Sequence, residues 1–436
     1  MADQVNPPRG MRDFLPAEKA KRDAVLDVIR RSYRAHGFDE IETPVVEDSA
    51  RLHAGLGGDN EKLAYAVMKR GITVDNLRAA AQPLDLADLG LRFDLTVPLT
   101  RFYASHRAEL PAVFRSIQVA PVWRAERPQK GRYRQFVQCD IDIIGEPGIR
   151  AEAELLLATL DTLDALGLEG GFIRVNDRRL LTGMLDGFGF TPDERESVLI
   201  TIDKLDKLGP DGVVAELRER GATPDAVDAF AAFLRRPVTM EFLPFGEAAI
   251  RKALPDGADD AVVADLAALG EAVLGARLGA AESAGSVEAP IVLQFDPFLV
   301  RGMGYYTGPI FELAHPSVPY SLGGGGRYDG MIGRFLGTDV PATGFSLGFE
   351  RLVDLVDPPR ADGGDAVALV HDADVPLAEL LALKAAVLAD ASRVRLVPRT
   401  KNVKNLLDAL AADGFDRFAF VAAGADAATL ELRPLG

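Results

Sequence analysis

A short arginine-rich segment stands out in an otherwise acidic chain. Between Phe114 and Phe136 there is one acid among several bases, although the whole chain has a formal net charge of -16. Guanidinium groups offer fixed, parallel donors to paired oxygens, which suits them to binding a polyphosphate. The bases are Arg115, Arg124, Arg127, Lys130, Arg132 and Arg134, and the acid is Glu126. The segment is a candidate nucleotide site, and the alternative is a solvated surface hairpin.

Two apolar runs flank this basic stretch and predict the elements that position it. Ser116–Trp123 and Phe136–Ile144 each have the length and character of a strand in a covered sheet. Pro128 and Gly131 interrupt the residues between them, as is typical of a loop. We therefore expect two strands joined by a long basic loop.

The side chains that follow the loop favour binding over solvation. Arg134, Phe136 and Gln138 alternate with other residues, so we expect them on one side of the second strand. A face that combines a cation, an aromatic ring and an amide is hard to explain by solvation alone. We favour a nucleotide site.

Two glycine-containing stretches are further candidates. Arg301–Gly308 places an arginine and two tyrosines between glycines that permit close backbone approach, or it forms a tight turn with packed aromatic rings. Gly323–Gly330 contains four successive glycines, which either cradle a ligand or make a flexible turn, without the spacing of a phosphate-binding loop. Taken singly, the first stretch favours the tight turn, and the second does not decide between binding and structure.

Two other stretches carry charged side chains near predicted elements. Gly344–Arg351 is typical of a strand, a glycine and a helix start, and its arginine either reaches a phosphate or pairs with Glu350. Leu91–Pro98 sets Asp94 and Thr96 two residues apart, on one side of a predicted strand. Such a pair can bind an ammonium group, or it can cap a turn.

Composition limits the class of protein. At 436 residues, with 48% hydrophobic and 26% charged residues, the chain has the make-up of a globular protein with two to four domains. Its single cysteine, Cys139, excludes an internal disulfide and a cysteine-cluster metal site. No apolar run approaches the roughly 20 residues that span a bilayer, and no secretory signal is evident. We expect a cytoplasmic protein without membrane association, and no metal site of its own, since the histidines lack ligand spacing; they are His36, His53, His106, His315 and His371.

The order of predicted elements indicates a divided chain. A helix over Ala17–His36 precedes an edge strand in Gly37–Pro44, and another helix covers Glu152–Leu166. Thr191–Ala284 is helical in pattern, and sheet-like sequence resumes over Ile291–Phe295. The later predictions are sheet over Phe298–Leu313, a helix over Gly348–Val356, a linker at Pro358–Gly364, strands Val367–Val370, Val394–Val397 and Phe418–Ala422, and helices Leu377–Leu388 and Val403–Ala412.

Taken in order, these motifs resemble those of class II histidyl-tRNA synthetases. The basic segment, with Arg-Pro-Gln-Lys-Gly-Arg-Tyr-Arg-Gln-Phe at 127–136, resembles the second class II motif in its histidine-specific form. Gly37–Pro44 and Gly344–Arg351 resemble the first and third motifs, and 299–306 and 325–330 resemble two signatures of the histidine enzymes. The resemblance implies an α+β fold with the antiparallel sheet core of class II synthetases, a helical insertion and a small α/β C-terminal domain. The expected boundaries are 1–190 with 285–357 for the core, 191–284 for the insertion and 365–436 for an anticodon-binding-like domain.

The resemblance also implies a role for each matched residue. Arg124 and Arg301 approach the α-phosphate of ATP from two sides and, with Arg351, are the expected catalytic residues. Arg351, with Arg132, holds the γ-phosphate, while Glu126 and Phe136 bind adenine. The expected histidine-binding residues are Asp94, Thr96 and Gln138 for the amino group, Asp142 and Tyr306 for the imidazole nitrogens, and Tyr305 and Tyr328 for the pocket lining.

The implied reaction joins L-histidine to ATP, with Mg²⁺, and transfers it to tRNA(His) on a homodimeric enzyme. In the C-terminal domain a basic cluster predicts tRNA contacts by Arg395, Arg399 and Lys401, or else a solvated helix start. The main alternative is a non-catalytic paralogue that senses histidine, of the type of the ATP phosphoribosyltransferase regulatory subunit; another is an RNA-binding or kinase-linked sensor on the same core. The retained Arg124, Arg301 and Arg351 favour the enzyme.

Overall fold

Contacts within the chain divide it into two units. The computed structural model describes residues 5–53, 63–129, 131–236, 246–284, 292–301, 304–357 and 365–435. The first unit is Met1–Arg12 with Asp27–Asp357, and the second is Asp13–Leu26 with Pro358–Gly436. Across the described ranges, no helix has the length and apolar character needed to cross a membrane.

The strands and helices before residue 358 belong to the first unit, except that the first part of the first helix, up to Leu26, belongs to the second. In chain order the strands are β1 (Asp39–Glu40), β2 (Val46–Asp48), β3 (Tyr65–Met68), β4 (Ala87–Leu91), β5 (Phe114–Trp123), β6 (Gln135–Ile144), β7 (Phe172–Asp177), β8 (Val292–Phe295), β9 (Pro309–Ala314), β10 (Gly323–Arg327) and β11 (Ala342–Gly348). The helices are α1 (Pro16–Ala35), α2 (Ser49–His53), α3 (Val74–Ala79), α4 (Thr96–His106), α5 (Arg150–Ala165), α6 (Arg178–Phe188), α7 (Arg195–Ile202), α8 (Leu205–Glu219), α9 (Pro224–Leu234), α10 (Glu247–Ala253), α11 (Asp260–Ala284), α12 (Asp329–Leu336) and α13 (Phe349–Leu352).

A mixed sheet forms the centre of the first unit. Within the described residues its eight strands lie in the order β1-β5-β6-β11-β10-β9-β7-β8. The pairs from β5 to β7 are antiparallel, and the parallel strands β1 and β8 lie at the edges. β1 lies in the predicted edge segment, whose proline has no N–H to donate to a further partner. The expected α+β class with a largely antiparallel core is confirmed.

Helices occupy most of the chain between β7 and β8, as the pattern over 191–284 predicted for the residues described there. Aromatic side chains pack these helices together: the ring centroids of Phe188 and Phe233 are 5.4 Å apart. Phe233 in turn lies 5.6 Å from Phe298, which follows β8 and precedes Arg301. The helical segment therefore packs against the stretch that leads into the candidate site.

The sheet predicted over Phe298–Leu313 is wrong in its first part. A strand forms only at β9, because Asp296 organises a turn after β8 instead. Its carboxylate Oδ1 accepts a hydrogen bond from Phe298 N at 2.9 Å, and its carbonyl accepts one from Leu299 N at 3.1 Å. The helix predicted over Gly348–Val356 is also shorter, and forms α13 alone.

The second unit contains a four-stranded sheet in its described part. Its elements are β12 (Ala366–His371), α14 (Leu377–Leu388), β13 (Arg393–Pro398), α15 (Val403–Ala412), β14 (Arg417–Val421) and β15 (Arg433–Pro434). The strand order is β13-β12-β14-β15, with β12 parallel to both neighbours. The predicted alternation of strands and helices is confirmed, and both helices have the predicted bounds. β15 was not predicted, and the expected linker at Pro358–Gly364 lies outside the described residues.

Candidate active site

A cavity of about 310 Å³ opens over β6, β10 and β11 of the first unit. Every residue predicted to bind ATP or histidine lines it. These residues are Asp94, Thr96, Arg124, Glu126, Arg132, Phe136, Gln138, Asp142, Arg301, Tyr305, Tyr306, Tyr328 and Arg351. The residues predicted to bind tRNA, Arg395, Arg399 and Lys401, lie in the second unit. Lys130, Gly302 and Met303 of the matched motifs lie outside the described residues.

Strand β6 supplies one wall of the cavity through its alternation. Phe136, Gln138, Asp140 and Asp142 all line the cavity, because residues two apart on a strand share a face. Gly344 on β11 pairs with Asp142, and a Cβ at Gly344 would collide with the Asp142 carboxylate. A glycine is therefore required there for the acid to face the cavity.

The four successive glycines form a strand and not a flexible turn, so that alternative is wrong. They make up most of β10, between β9 and β11 in the sheet. A Cβ on Gly324 would lie 2.8 Å from Cζ of Arg301, and one on Gly325 would collide with the carbonyl oxygen of Gly344. The missing side chains let the Arg301 guanidinium and the neighbouring strand approach the backbone closely.

The sequence predicted that Asp94 and Thr96 lie on one strand, but they do not. Asp94 lies in the loop after β4, and Thr96 is the first residue of α4. The Asp94 carboxylate combines the two alternatives for this pair. Oδ1 accepts a hydrogen bond from Val97 N at 3.3 Å, which caps the helix, while buried Oδ2 has no hydrogen-bond partner among the described residues. One oxygen thus remains to accept a hydrogen bond from a ligand.

Asp94, Asp140 and Asp142 place three buried carboxylates in the cavity lining. Burial raises the pKa of Asp94. Burial and then the neighbouring Asp142 raise the pKa of Asp140 well above its usual range. Burial raises the pKa of Asp142 to about 7, although a hydrogen bond of 2.6 Å from the Tyr328 hydroxyl opposes the shift. Such a cluster fits a cationic ligand, because a positive charge would offset the cost of ionising the buried acids.

Arginines also line the cavity. The Arg124 Nε donates to the carbonyl of Phe93 at 2.9 Å, and its guanidinium carbon lies 5.1 Å from the centroid of the Phe136 ring. Arg351 donates to the carbonyls of Gly131 and Ser321, at 2.8 and 2.5 Å. Burial, and then Arg132 and Arg124, lower the Arg351 pKa. Several cations this close to one buried guanidinium fit a polyanionic ligand.

Arg301 lies beside the tyrosines of the cavity. Its Nη1 donates to Glu312 Oε2 at 2.8 Å, whereas its buried Nε has no hydrogen-bond partner in the part of the chain that the structure describes. Burial acts to lower the Arg301 pKa, but Tyr306 and Glu312 raise it overall. The rings of Tyr305 and Tyr306 are 4.8 Å apart, and Tyr305 is 6.1 Å from Tyr328. Three of the predicted histidine-binding residues thus form one aromatic wall.

Sequence reasoning missed Asp140 and Ser346, which also line the cavity. Extending the alternation from Phe136 and Gln138 by one step along β6 would have found Asp140. No local signal marked Ser346, which reaches Gln138 Nε2 at 3.0 Å from the partner strand β11.

The shared face expected for Arg134 is not seen in the cavity lining. The Arg134 Nε donates to the carbonyl of Glu126 at 3.0 Å, and its backbone N–H donates to the carbonyl of Gly10 at 2.8 Å. Arg134 therefore ties the basic loop to the N-terminal segment.

In the Gly344–Arg351 stretch, the Glu350 carboxylate forms an ion pair with Arg12 at 2.7 Å. The Arg351 guanidinium donates hydrogen bonds to backbone carbonyls.

A family model for histidyl-tRNA synthetases matches residues 10–352, most of the chain and all of the cavity. The chain is also 59% identical, over 441 aligned residues, to the histidine–tRNA ligase of Leifsonia xyli subsp. xyli, covering 100% of this chain and 99% of that protein. The chain belongs to the histidyl-tRNA synthetase family. It is a class II aminoacyl-tRNA synthetase, an enzyme whose substrates are ATP, histidine and tRNA.

Solved structures of related proteins share this fold. A histidyl-tRNA synthetase from Nostoc sp. PCC 7120 is 25% identical with a TM-score of 0.75, covering 99% of this chain and 95% of that chain. A structure described as an ATP phosphoribosyltransferase regulatory subunit/histidyl-tRNA synthetase from Bacillus halodurans C has a TM-score of 0.74 at 20% identity, covering 98% and 100%. Both of these proteins thus share the fold, which does not separate a synthetase from a histidine sensor. The identity to a histidine–tRNA ligase over the full length favours the synthetase.

Proposed function

We propose that the cavity binds histidine through its buried carboxylates and tyrosines and binds ATP through its arginines. The observation that carries this assignment is that two buried acceptor atoms, Asp94 Oδ2 and Gln138 Oε1, have no hydrogen-bond partner within the described ranges. Both suit the α-ammonium group of an amino acid, with the Thr96 hydroxyl beside them. Leaving such acceptors unsatisfied costs free energy, which an ammonium donor would recover on binding.

For the side chain of histidine, Asp142 and Tyr306 bind the two imidazole nitrogens, and Tyr305 and Tyr328 line the pocket around the ring. The hydrogen bond from the Tyr328 hydroxyl orients the Asp142 carboxylate for this role. A site that satisfies both ring nitrogens rejects an isostere by about 10⁴ or more, because its own buried polar groups would be left unpaired.

ATP binds with its adenine on Phe136 and with its amino group donating to Glu126. Arg124 and Arg301 flank the α-phosphate, while Arg351 and Arg132 hold the γ-phosphate of a bent nucleotide. A histidine carboxylate oxygen attacks the α-phosphorus, the bond to the bridging oxygen breaks, and pyrophosphate leaves with that electron pair. The two guanidiniums stabilise the charge that develops on the crowded α-phosphate. The 3′-terminal hydroxyl of tRNA then attacks the adenylate carbonyl, and AMP leaves.

Mg²⁺ accompanies the nucleotide in this proposal. Among the residues described, no three His, Cys, Asp or Glu side chains group in a way that could hold a metal ion. Mg²⁺ is commonly bound through substrate phosphates with only one or two carboxylates. The triphosphate would therefore supply most of its ligands, and the ion would neutralise phosphate charge when bound.

Histidine-dependent exchange of labelled pyrophosphate into ATP tests the assignment. We expect exchange with histidine and Mg²⁺ and with no other standard amino acid. Folded protein that binds ATP but does not exchange with histidine would contradict the proposed site.

Histidine affinity should depend on the protonation of Asp142. The pKa of this acid is about 7 in the empty pocket, so a falling pH protonates it and removes the charge that an imidazole N–H requires. Between pH 8 and pH 6 this one group should raise the histidine dissociation constant by about 10-fold. Calorimetric titration at several pH values measures the effect. Asp142→Asn is the control, because the titration of the ligand is the same for both proteins; equal pH dependence in both would exclude Asp142.

The C-terminal domain binds tRNA in this proposal, through Arg395, Arg399 and Lys401. The sequence suggested a basic cluster free of acids, but the fold brings acids beside it. Arg395 pairs with Asp413 at 2.6 Å, and Arg399 lies 3.4 Å from Asp372. Both guanidiniums are 45% exposed, so the pairs are weak and a phosphate can displace their partners.

Replacing Arg395, Arg399 and Lys401 with alanine should weaken tRNA binding and flatten its dependence on salt. Each lost phosphate contact lowers the slope of log K against log salt by roughly one. Filter binding over a range of salt concentrations gives the slope, and ATP–pyrophosphate exchange should stay unchanged. Arg433→Ala in the same domain is the control, since it removes an exposed cation that pairs with Glu431. An unchanged slope in the triple variant would exclude these contacts.

We also propose a cytoplasmic homodimer, with Phe38–Pro44 and α1 at a two-fold interface. Apolar side chains next to this segment are exposed in the single chain: Val45 is 42% and Val46 37% accessible. A self-complementary interface would bury them. Light scattering should give the mass of a dimer at micromolar concentration, and Val46→Lys should shift the equilibrium toward monomer. A monomeric wild-type protein would contradict the proposal.

A further inference from the structure

A carboxylate outside the cavity lining fixes one end of the Arg301 guanidinium. Glu312 on β9 accepts from Arg301 Nη1 at 2.8 Å, and the guanidinium also lies close to the Gly324 backbone, since a Cβ at Gly324 would lie 2.8 Å from Arg301 Cζ. Among the residues that the structure describes, the buried Arg301 Nε has no hydrogen-bond partner. The ion pair with Glu312 therefore helps to orient this side chain.

Glu312 is itself held by a second arginine. Arg174 on β7 is directly opposite Glu312 in the antiparallel pairing of β7 and β9. Its Nη1 lies 3.1 Å from Glu312 Oε1, whereas Arg301 uses Oε2. Each oxygen of Glu312 thus serves a different guanidinium. Asp296, which is buried, accepts from Arg174 Nε at 2.6 Å and holds Arg174 in turn.

The same arginine reaches the helices between β7 and β8. Arg174 Nη1 lies 2.8 Å from Asp206 Oδ2 in the first turn of α8. Asp203, just before α8, also interacts with Arg301, whose charge lowers its pKa against the larger effect of burial. A continuous series of ion pairs therefore runs from Asp206 through Arg174 and Glu312 to Arg301.

We propose that Glu312 is a positioning residue for Arg301, and that Arg174 couples this pair to the helical segment through Asp206. The inference rests on the proposed role of Arg301 at the α-phosphate. A guanidinium misplaced by about 1 Å can cost about 100-fold in rate while leaving substrate binding intact. The position of the Arg301 guanidinium therefore depends on Asp206 of α8, whose side chain is 70% exposed.

The first test is Glu312→Gln, which keeps an acceptor oxygen but removes the charge. We expect kcat for ATP–pyrophosphate exchange to fall by about 10-fold or more, with the KM values for ATP and histidine within about twofold. In an Arg301→Ala background the same change should cost nothing further, because residues that act through one another are not additive. Glu312 keeps Arg174 as its partner in that background, so no buried charge is stranded.

The second test is Asp206→Asn. Asp206 is exposed, so this variant should fold as the wild type does. Loss of a partly exposed ion pair should lower kcat by about two- to fivefold, and only when Arg301 is present. Asp228→Asn is the matched control: it breaks a 2.7 Å ion pair with Arg218, between α9 and α8, in which both partners are exposed. The control should leave kcat unchanged.

The outcomes separate this inference from the proposed function. Wild-type kcat in Glu312→Gln, or an equal loss with and without Arg301, would overturn the positioning role. Wild-type kcat in Asp206→Asn would overturn the coupling to α8. If Glu312→Gln does not fold, as judged by thermal unfolding, the kcat values of Asp206→Asn with and without Arg301 decide whether the ion pairs position Arg301. If Arg301→Ala itself exchanges at the wild-type rate, the proposed role of Arg301 fails instead.

Discussion

Replacing either Arg124 or Arg301 with alanine is expected to reduce ATP–pyrophosphate exchange by about 100-fold or more. Each variant removes a guanidinium from one side of the proposed α-phosphate site, where charge develops as the histidine oxygen attacks. The loss should appear in kcat, while histidine binding changes far less, because the carboxylates proposed to bind histidine are intact. Exchange rates at saturating ATP, together with calorimetric titration of histidine, measure the two quantities separately.

Arg127→Ala is the matched control for this pair of variants. Arg127 belongs to the same basic loop, but it is exposed and does not line the cavity. The control should exchange at the wild-type rate, which would exclude a general effect of loop charge. If Arg124→Ala or Arg301→Ala behaved like the control, that arginine would not act on the transition state.

Asp94→Asn is expected to raise the dissociation constant for histidine by about 30-fold or more. Removing one partner of a buried charge pair costs about 2–5 kcal/mol in complexes, and the proposed partner is the α-ammonium group. The stability of the protein without bound histidine should not fall. Because burial raises the pKa of Asp94, ionising it at neutral pH costs stability that an amide does not, so the melting temperature should stay equal or rise.

Weaker histidine binding combined with equal or higher stability separates a binding role from a structural one. Asp88→Asn makes the same change at an exposed position of β4 and should alter neither quantity. Asp94→Asn protein that binds histidine as tightly as the wild type would refute the ammonium site. A large fall in melting temperature would instead assign Asp94 to capping α4.

The sequence was sufficient for the parts of the site that depend on local pattern. Strands β5 and β6 and the basic loop between them follow from two apolar runs, a proline and a glycine, all within one short segment. The spacing of Phe136, Gln138 and Asp142 puts them on one face whatever β6 packs against, since side chains alternate along any strand. The glycine before Arg351 likewise predicted the strand-to-helix junction of β11 and α13.

Local pattern failed where a residue's conformation depends on distant partners. Four successive glycines have no intrinsic preference for a strand, and they form β10 because strands on both sides leave no room for side chains. Asp94 left the predicted strand to cap α4 with one oxygen and to face the cavity with the other.

The sequence by itself determined the fold class, the order of the motifs and the chemical types of residue available for the reaction. Only the tertiary structure decided which charges meet. Asp413 lies beside Arg395, and Glu312 lies between Arg174 and Arg301, through pairings that join residues far apart in the chain. An ion pair depends on separations of a few ångströms, since the interaction weakens with distance and in water. Those separations are set by strand register and helix packing, which no local spacing encodes.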